Sequence, residues 1–133
     1  MKRLEDIETF SSIMRKYKET IKGYTDEWIL DTKNVALIED DNLALFEYIK
    51  DGVYRGHYFF SDRGRKAINL SKTALDYIFS SAKIIEGLTP IENKGAIWMS
   101  KHLGFTAYGD IDTIAGKCKH FIMTQEEWRK LNG

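Results

Sequence analysis

The stretch Ser61-Asp62-Arg63-Gly64-Arg65-Lys66 gathers three cations around one glycine, and residues with helical apolar spacing follow at once. The first N–H groups of a helix have no intrahelical partner, and together with the helix dipole they favour an anion. Arg63, Arg65 and Lys66 would add charge at the same point, so a phosphate seat is one reading. A solvated basic helix entrance with no ligand is the other. For proton transfer, His57 in Val-Tyr-Arg-Gly-His-Tyr-Phe-Phe is the first candidate, because an imidazole with a pKa of about 6.5 suits a base near neutral pH. Glu47, in the preceding run, is the second. Both also fit the wet face of an alternating strand. His102, His120 and Cys118 are scattered without ligand spacing, which argues against a metal site. The run Gly-Arg-Lys-Ala-Ile-Asn-Leu-Ser lacks the Gly-Lys-Ser/Thr ending of a nucleotide-triphosphate loop, and no serine nucleophile motif is present.

These residues need a scaffold, and apolar periodicity supplies its outline. Leu4, Ile7, Phe10, Ile13, Met14, Tyr17 and Ile21 predict a helix over about 5–21, stopped by Gly23. Three strand-like runs follow, Asn-Val-Ala-Leu-Ile-Glu, Leu-Ala-Leu-Phe-Glu-Tyr-Ile and Val-Tyr-Arg-Gly-His-Tyr-Phe-Phe, joined at Asp41-Asn42 and Asp51-Gly52 as an antiparallel meander. Asp62 or Ser61 is expected to cap a helix over roughly 64–82, with Ala67, Ser71, Ala74, Leu75, Ile78 and Ala82 inward. Lys-Ile-Ile-Glu-Gly reads as a short strand. Thr89-Pro90-Ile91-Glu92 reads as a capping box with proline at the first helical position, opening a helix that ends at Gly104. Two strands, Phe105–Ile111 and Lys119–Thr124, precede a terminal helix opened by a second box, Thr124 to Glu127. Gly56 suggests a bulge, and Trp98 and Trp128 read as core anchors. The aromatic crowd of Tyr54, Tyr58, Phe59 and Phe60 fits either core packing or a docking face or tunnel.

A chain of 133 residues fits one domain, 1–133. Twenty Lys and Arg balance twenty Asp and Glu, so no global field draws it to nucleic acid or an anionic membrane. The acidic N-terminus and the lack of any long apolar run predict neither signal peptide nor membrane span. A single cysteine excludes an internal disulfide and points to a reducing cytosol.

The element order, with Arg63-Gly64-Arg65-Lys66-Ala67 opening the central helix and Pro90 to Phe105 closing the next, resembles the GCN5-related N-acetyltransferase (GNAT) superfamily. Asn93, Ala96, Gly104 and Phe105 carry the more specific part. More narrowly the sequence looks like phage-encoded head assembly proteins of short-tailed phages built on that fold. The resemblance implies an α+β fold: a mixed, mostly antiparallel sheet with helices on both faces. It implies that Arg63, Gly64, Arg65, Lys66, Ala67 and Asn93 line an acetyl-CoA site, and that the strand before that loop and the Lys-Ile-Ile-Glu-Gly strand part near Gly56 to admit the pantetheine arm.

Two departures stand against intact chemistry. The family's loop needs small residues where Lys66 and Ile68 fall; slipping the register by one restores Ala67 but places Arg65 at the other small position and Asp62 at the leading one. The family's tyrosine acid, seven residues after the Asn, is Ser100, a far weaker acid than a phenol. Binding of acetyl-CoA or CoA is therefore expected to be weak or absent. The expected function is an accessory role in phage head assembly, with capsid or scaffold proteins as partners, in the host cytoplasm and in association with the virion. The alternative is a working acetyl-CoA-dependent N-acetyltransferase acting on an amine of a protein or small molecule, and a third reading is a coenzyme-sensing module.

Overall fold

The computed structural model describes residues 1–17, 26–114 and 116–132. Its first helix, α1 (Ile7–Lys16), is shorter than the periodicity predicts, and the expected end at Ile21 and Gly23 lies outside the described residues. Asp6 opens it, its carboxylate accepting from the backbone N–H of Glu8 and Thr9 at 3.2 Å each. A short β1 (Lys2–Arg3) and a short α2 (Asp26–Leu30), neither legible as periodicity, flank this helix in the chain.

The meander forms as expected: β2 (Val35–Glu39), β3 (Asn42–Lys50) and β4 (Val53–Phe59) pair antiparallel in succession. The first turn is one residue earlier than read. Glu39 faces Asn42, so Asp40 and Asp41 make the turn, with Asp40 at φ +52°, a left-handed conformation that aspartate tolerates. Asp51-Gly52 turns the second hairpin, with Gly52 at φ +78°. Gly56 makes no bulge. It pairs regularly with Phe46, and an added Cβ would sit 3.2 Å from the Phe46 ring, so close packing explains the glycine; the register shift lies instead between Tyr48 and Lys50.

Next come α3 (Arg65–Ile78), β5 (Ile84–Pro90), α4 (Lys94–Leu103), β6 (Thr106–Thr113), β7 (Gly116–Thr124) and α5 (Gln125–Asn132). The seven strands make one sheet in the order β1-β2-β3-β4-β5-β7-β6, antiparallel throughout except where β4 meets β5. Parallel neighbours need a crossover, and α3 provides it. Its expected inner face is buried as read, from Ala67 through Ser71, Ala74, Leu75 and Ile78 to Ala82 just beyond its end. The expected cap is not. Gly64 occupies the cap position with no side-chain bond, because the Asp62 carboxylate is already engaged elsewhere.

The Thr89-Pro90 box is also overturned. Both residues continue β5 and face Lys119 and Cys118 of β7, so the helix waits until Asn93, whose Oδ1 accepts from the Ala96 N–H at 3.1 Å. The second box forms reciprocally: the Thr124 N–H donates to Glu127 Oε1 at 2.9 Å, and the Glu127 N–H to Thr124 Oγ1 at 3.1 Å.

Strand alternation divides the burial between two faces. On one, Phe10 and Ile13 of α1 cover Ala36, Ile38, Leu43 and Leu45, with Trp28 and Phe59 packed alongside. On the other, α3, α4 and α5 contribute Ala74, Leu75, Ile78, Leu103 and Trp128 over Leu37, Ala44, Phe46, Ile85 and Met123. Tyr54, Tyr58 and Phe60 join this second core, with Tyr58 stacked on Phe60 and edge-on to Phe46. Trp128 is an anchor as expected. Trp98 is not: it is 55% exposed, stacked on His102 along the outer side of α4. No helix of the described residues is long and apolar enough to cross a membrane.

Candidate active site at the parting of two parallel strands

Parallel pairing of β4 with β5 is brief. Val53 faces Ile84, Tyr54 faces Ile85, Arg55 faces Glu86, and there the ladder ends. β4 runs on to Phe59 in register with β3, while β5 runs on to Pro90 in register with β7. The sheet therefore opens into a wedge between Gly56–Phe59 and Gly87–Pro90. Gly87 stands on the β5 wall, and a Cβ built there would meet nothing within 4 Å. Edges of this kind leave backbone donors and acceptors without a strand neighbour, a surface that accepts an extended chain.

At the open end of the wedge stands the entrance to α3. The Ile68 N–H bonds back to the Gly64 carbonyl at 3.1 Å, leaving the earlier N–H groups of the helix at its exposed tip. Gly64 has φ +66° and ψ −138°, a backbone conformation that side chains strain. Of the expected cations, Arg63 folds its Nη1 onto the carbonyls of Phe60 and Asp62, Lys66 pairs with Asp62 at 3.4 Å, and Arg65 is exposed. Ala67 is buried under the first turn. The lead-in is held from beneath by Asn42, which is fully buried. Its Oδ1 accepts from the Ser61 and Asp62 N–H groups at 3.0 and 3.1 Å, and its Nδ2 donates to the Asp62 carboxylate at 2.7 Å. That bond, with Lys66 as a lesser cause, holds the Asp62 carboxyl below its ordinary range.

At the closed end, four strands place a charged network on the face that α1 covers further along. Arg55 Nε and Nη2 donate to Glu86 Oε1 at 2.8 and 2.7 Å, while Glu47 Oε1 lies 4.0 Å from Arg55 Nη1. Glu86 Oε2 lies 3.3 Å from His120 Nε2. His57 stands two residues along the same face of β4. Burial, and then the Arg55 guanidinium beside it, push its pKa down to about 4. A group that binds a proton only near pH 4 is a poor acceptor from an amine at neutral pH.

The expected site residues thus separate. Arg63, Gly64, Arg65, Lys66 and Ala67 gather at the mouth of the wedge, and Glu47 and His57 lie on the face beside its apex. Asn93 spends its side chain on the cap of α4, and Ser100 is a half-buried residue within that helix. Sequence reasoning missed Asn42, which looked like a turn residue, and the pairing of Glu86 with His120. Glu86 did interrupt an apolar run; His120 gave no signal. Among the described residues no group of three or more His, Cys, Asp or Glu side chains is placed to hold a metal ion.

No family model and no curated protein matches the sequence. Solved structures do. Mutant forms of the spermidine/spermine N-acetyltransferase SpeG from Vibrio cholerae superpose with a TM-score of 0.83 at 15% identity, over 99% of this chain and 96% of that one. The dodecameric spermidine N-acetyltransferase from Vibrio cholerae in its intermediate state gives 0.79 at 17% identity, over 99% and 96%. A SpeG chimera of the Vibrio cholerae enzyme with hSSAT gives 0.79 at 16%, over 97% and 96%. Identity this low speaks for architecture alone, and the architecture agrees with the parted strands: the chain has the GNAT-like, acyl-CoA N-acyltransferase fold.

Proposed function

We propose that this protein is an acetyl-CoA-dependent N-acetyltransferase acting on an amine. The wedge between β4 and β5 carries the reading. Its two free edges suit the amide-bearing pantetheine arm, its mouth offers the α3 N-terminus and Arg65 to phosphates, and Gly87 leaves its wall open. Bound there, acetyl-CoA would supply an activated thioester. The chain's own contribution is to hold that carbonyl against backbone N–H groups of the splayed strands and to receive the amine on the face of Glu47, Arg55 and Glu86. Spermidine, the substrate of the structurally similar N-acetyltransferases, is the first acceptor to try.

Lys66 and Ile68, standing where smaller residues would let the backbone approach a diphosphate, favour a second reading. In it the fold serves as a binding protein of phage head assembly, with a capsid or scaffold protein as partner. Thermal unfolding with acetyl-CoA separates the two. Ligand at about 100 times its dissociation constant stabilises by about 2.7 kcal/mol, so the first reading expects a clear rise in melting temperature and thiol release with spermidine. No shift at millimolar acetyl-CoA selects the second.

A further inference from the structure

We propose that His120, held by Glu86, is the proton acceptor for the incoming amine; this rests on the acetyl-transfer reading. His57 and Glu47 are the candidates the sequence offers, yet neither is well placed to serve. His57 keeps its neutral form to about pH 4, and Glu47 is drawn toward Arg55. His120 differs in two respects. It faces Leu88 across the β5–β7 ladder, and Leu88 belongs to the stretch of β5 that walls the wedge, so one strand spacing of about 4.8 Å separates its backbone from that wall. Its Nε2 meets Glu86 Oε2, while Glu86 Oε1 is locked by the two Arg55 bonds. A carboxylate fixed in this way holds Nε2 as the protonated nitrogen and leaves Nδ1 with the lone pair, the arrangement in which a carboxylate orients an imidazole and steadies the imidazolium. Glu86 is then a positioning residue and His120 the catalytic one.

The step balances. The acceptor arrives as an ammonium and gives one proton to Nδ1 of His120. The freed lone pair attacks the thioester carbon; the C–N bond forms, and the C–S bonding pair leaves on sulfur. The nitrogen's surplus proton ends on that sulfur, giving amide and free thiol, and His120 returns its proton to water. Around the imidazole on this face stand Glu86 and, beyond it, Arg55, Glu47 and His57, with Cys118 on its own strand. Asp110 of β6 pairs with Lys119, which alternation places on the opposite face.

The test measures thiol release from acetyl-CoA with spermidine, butylamine and a lysine peptide between pH 5.5 and 9, for wild type, His120→Asn, Glu86→Gln and the remote control His102→Gln. Acetyl-CoA affinity and melting temperature are measured alongside. His120→Asn is expected to lower kcat/KM about 100-fold or more, to replace the plateau above the acidic limb of the pH profile with a rate that climbs with free amine across the whole range, and to leave acetyl-CoA affinity within about twofold. Glu86→Gln keeps an imidazole and should displace that limb with a smaller loss, and ¹⁵N NMR should show the Nε2–H tautomer dominant in wild type and diluted in this variant. His102→Gln should match wild type. An active wild type with His120→Asn within about threefold of it, or with a pH profile of unchanged shape, overturns the proposal. Acetyl-CoA binding without release to any of the three amines overturns it and leaves the coenzyme site standing; no binding at all removes the acetyl-transfer reading as well.

Discussion

Acidification should weaken this protein through His57 in a window that can be calculated. In the unfolded chain the imidazole titrates near 6.5; in the folded chain, buried and beside Arg55, it titrates at about 4. Between those values the unfolded state binds a proton that the native state refuses, so stability rises with pH across the window and falls as pH drops. The slope for one proton is about 1.4 kcal/mol per pH unit, which over the whole window amounts to about 3 kcal/mol, a sizeable fraction of a domain's stability. Above 6.5 the contribution is complete, and below 4 it has gone. Urea unfolding at pH 7, 6, 5 and 4 measures it directly, with His57→Leu as the reference in which this proton is missing and every other titrating group is shared. The difference between the two proteins should grow in the variant's favour by about 1.4 kcal/mol per unit on the way down. Parallel pH profiles would mean that solvent reaches the imidazole and that the electrostatic account of this face is mistaken.

Two further substitutions probe the wedge. Asn42→Ala strips partners from the Ser61 and Asp62 N–H groups and should cost about 2–3 kcal/mol in denaturant unfolding, while weakening acetyl-CoA binding because the loop before α3 loses its support. Gly56→Ala drives a methyl to 3.2 Å from the fully buried Phe46 ring, which must shift within the core to admit it, so a loss of about 1–3 kcal/mol is expected in the same assay.

Local signals carried far into this fold. The alternation of Val53 to Phe60 sorted Arg55, His57 and Phe59 from Tyr54, Tyr58 and Phe60, and the two cores divide along that line. The spacing of Ala67 to Ala82 named the buried side of α3, and Thr124 with Glu127 capped α5 as written. Local rules failed where a distant strand decided the outcome. Thr89-Pro90 has the composition of a helix start, but β7 was waiting to pair with it. Asp62 has the chemistry of a cap, but Asn42, twenty residues earlier, claimed it. The same limit hid the candidate site. Glu47, Arg55, Glu86 and His120 come from four strands, and nothing in the linear order of a chain states which residue of β5 will stand beside which residue of β7.

The short parallel ladder has a mechanical consequence. β1 to β4 form one antiparallel panel and β5 to β7 another, and within the sheet three residue pairs join them as a spine. The foot of that spine is pinned by the Gly52 carbonyl, which accepts from both Lys83 and Ile84 at 2.7 and 3.0 Å. The rest of the join is made by side chains: Ala44 and Phe46 of the first panel and Ile85 and Met123 of the second share one core beneath Ala74, Leu75 and Ile78 of α3. The two panels are thus tied by main-chain bonds at the Gly52 corner and by apolar packing under α3, and beyond Arg55 and Glu86 no ladder joins them.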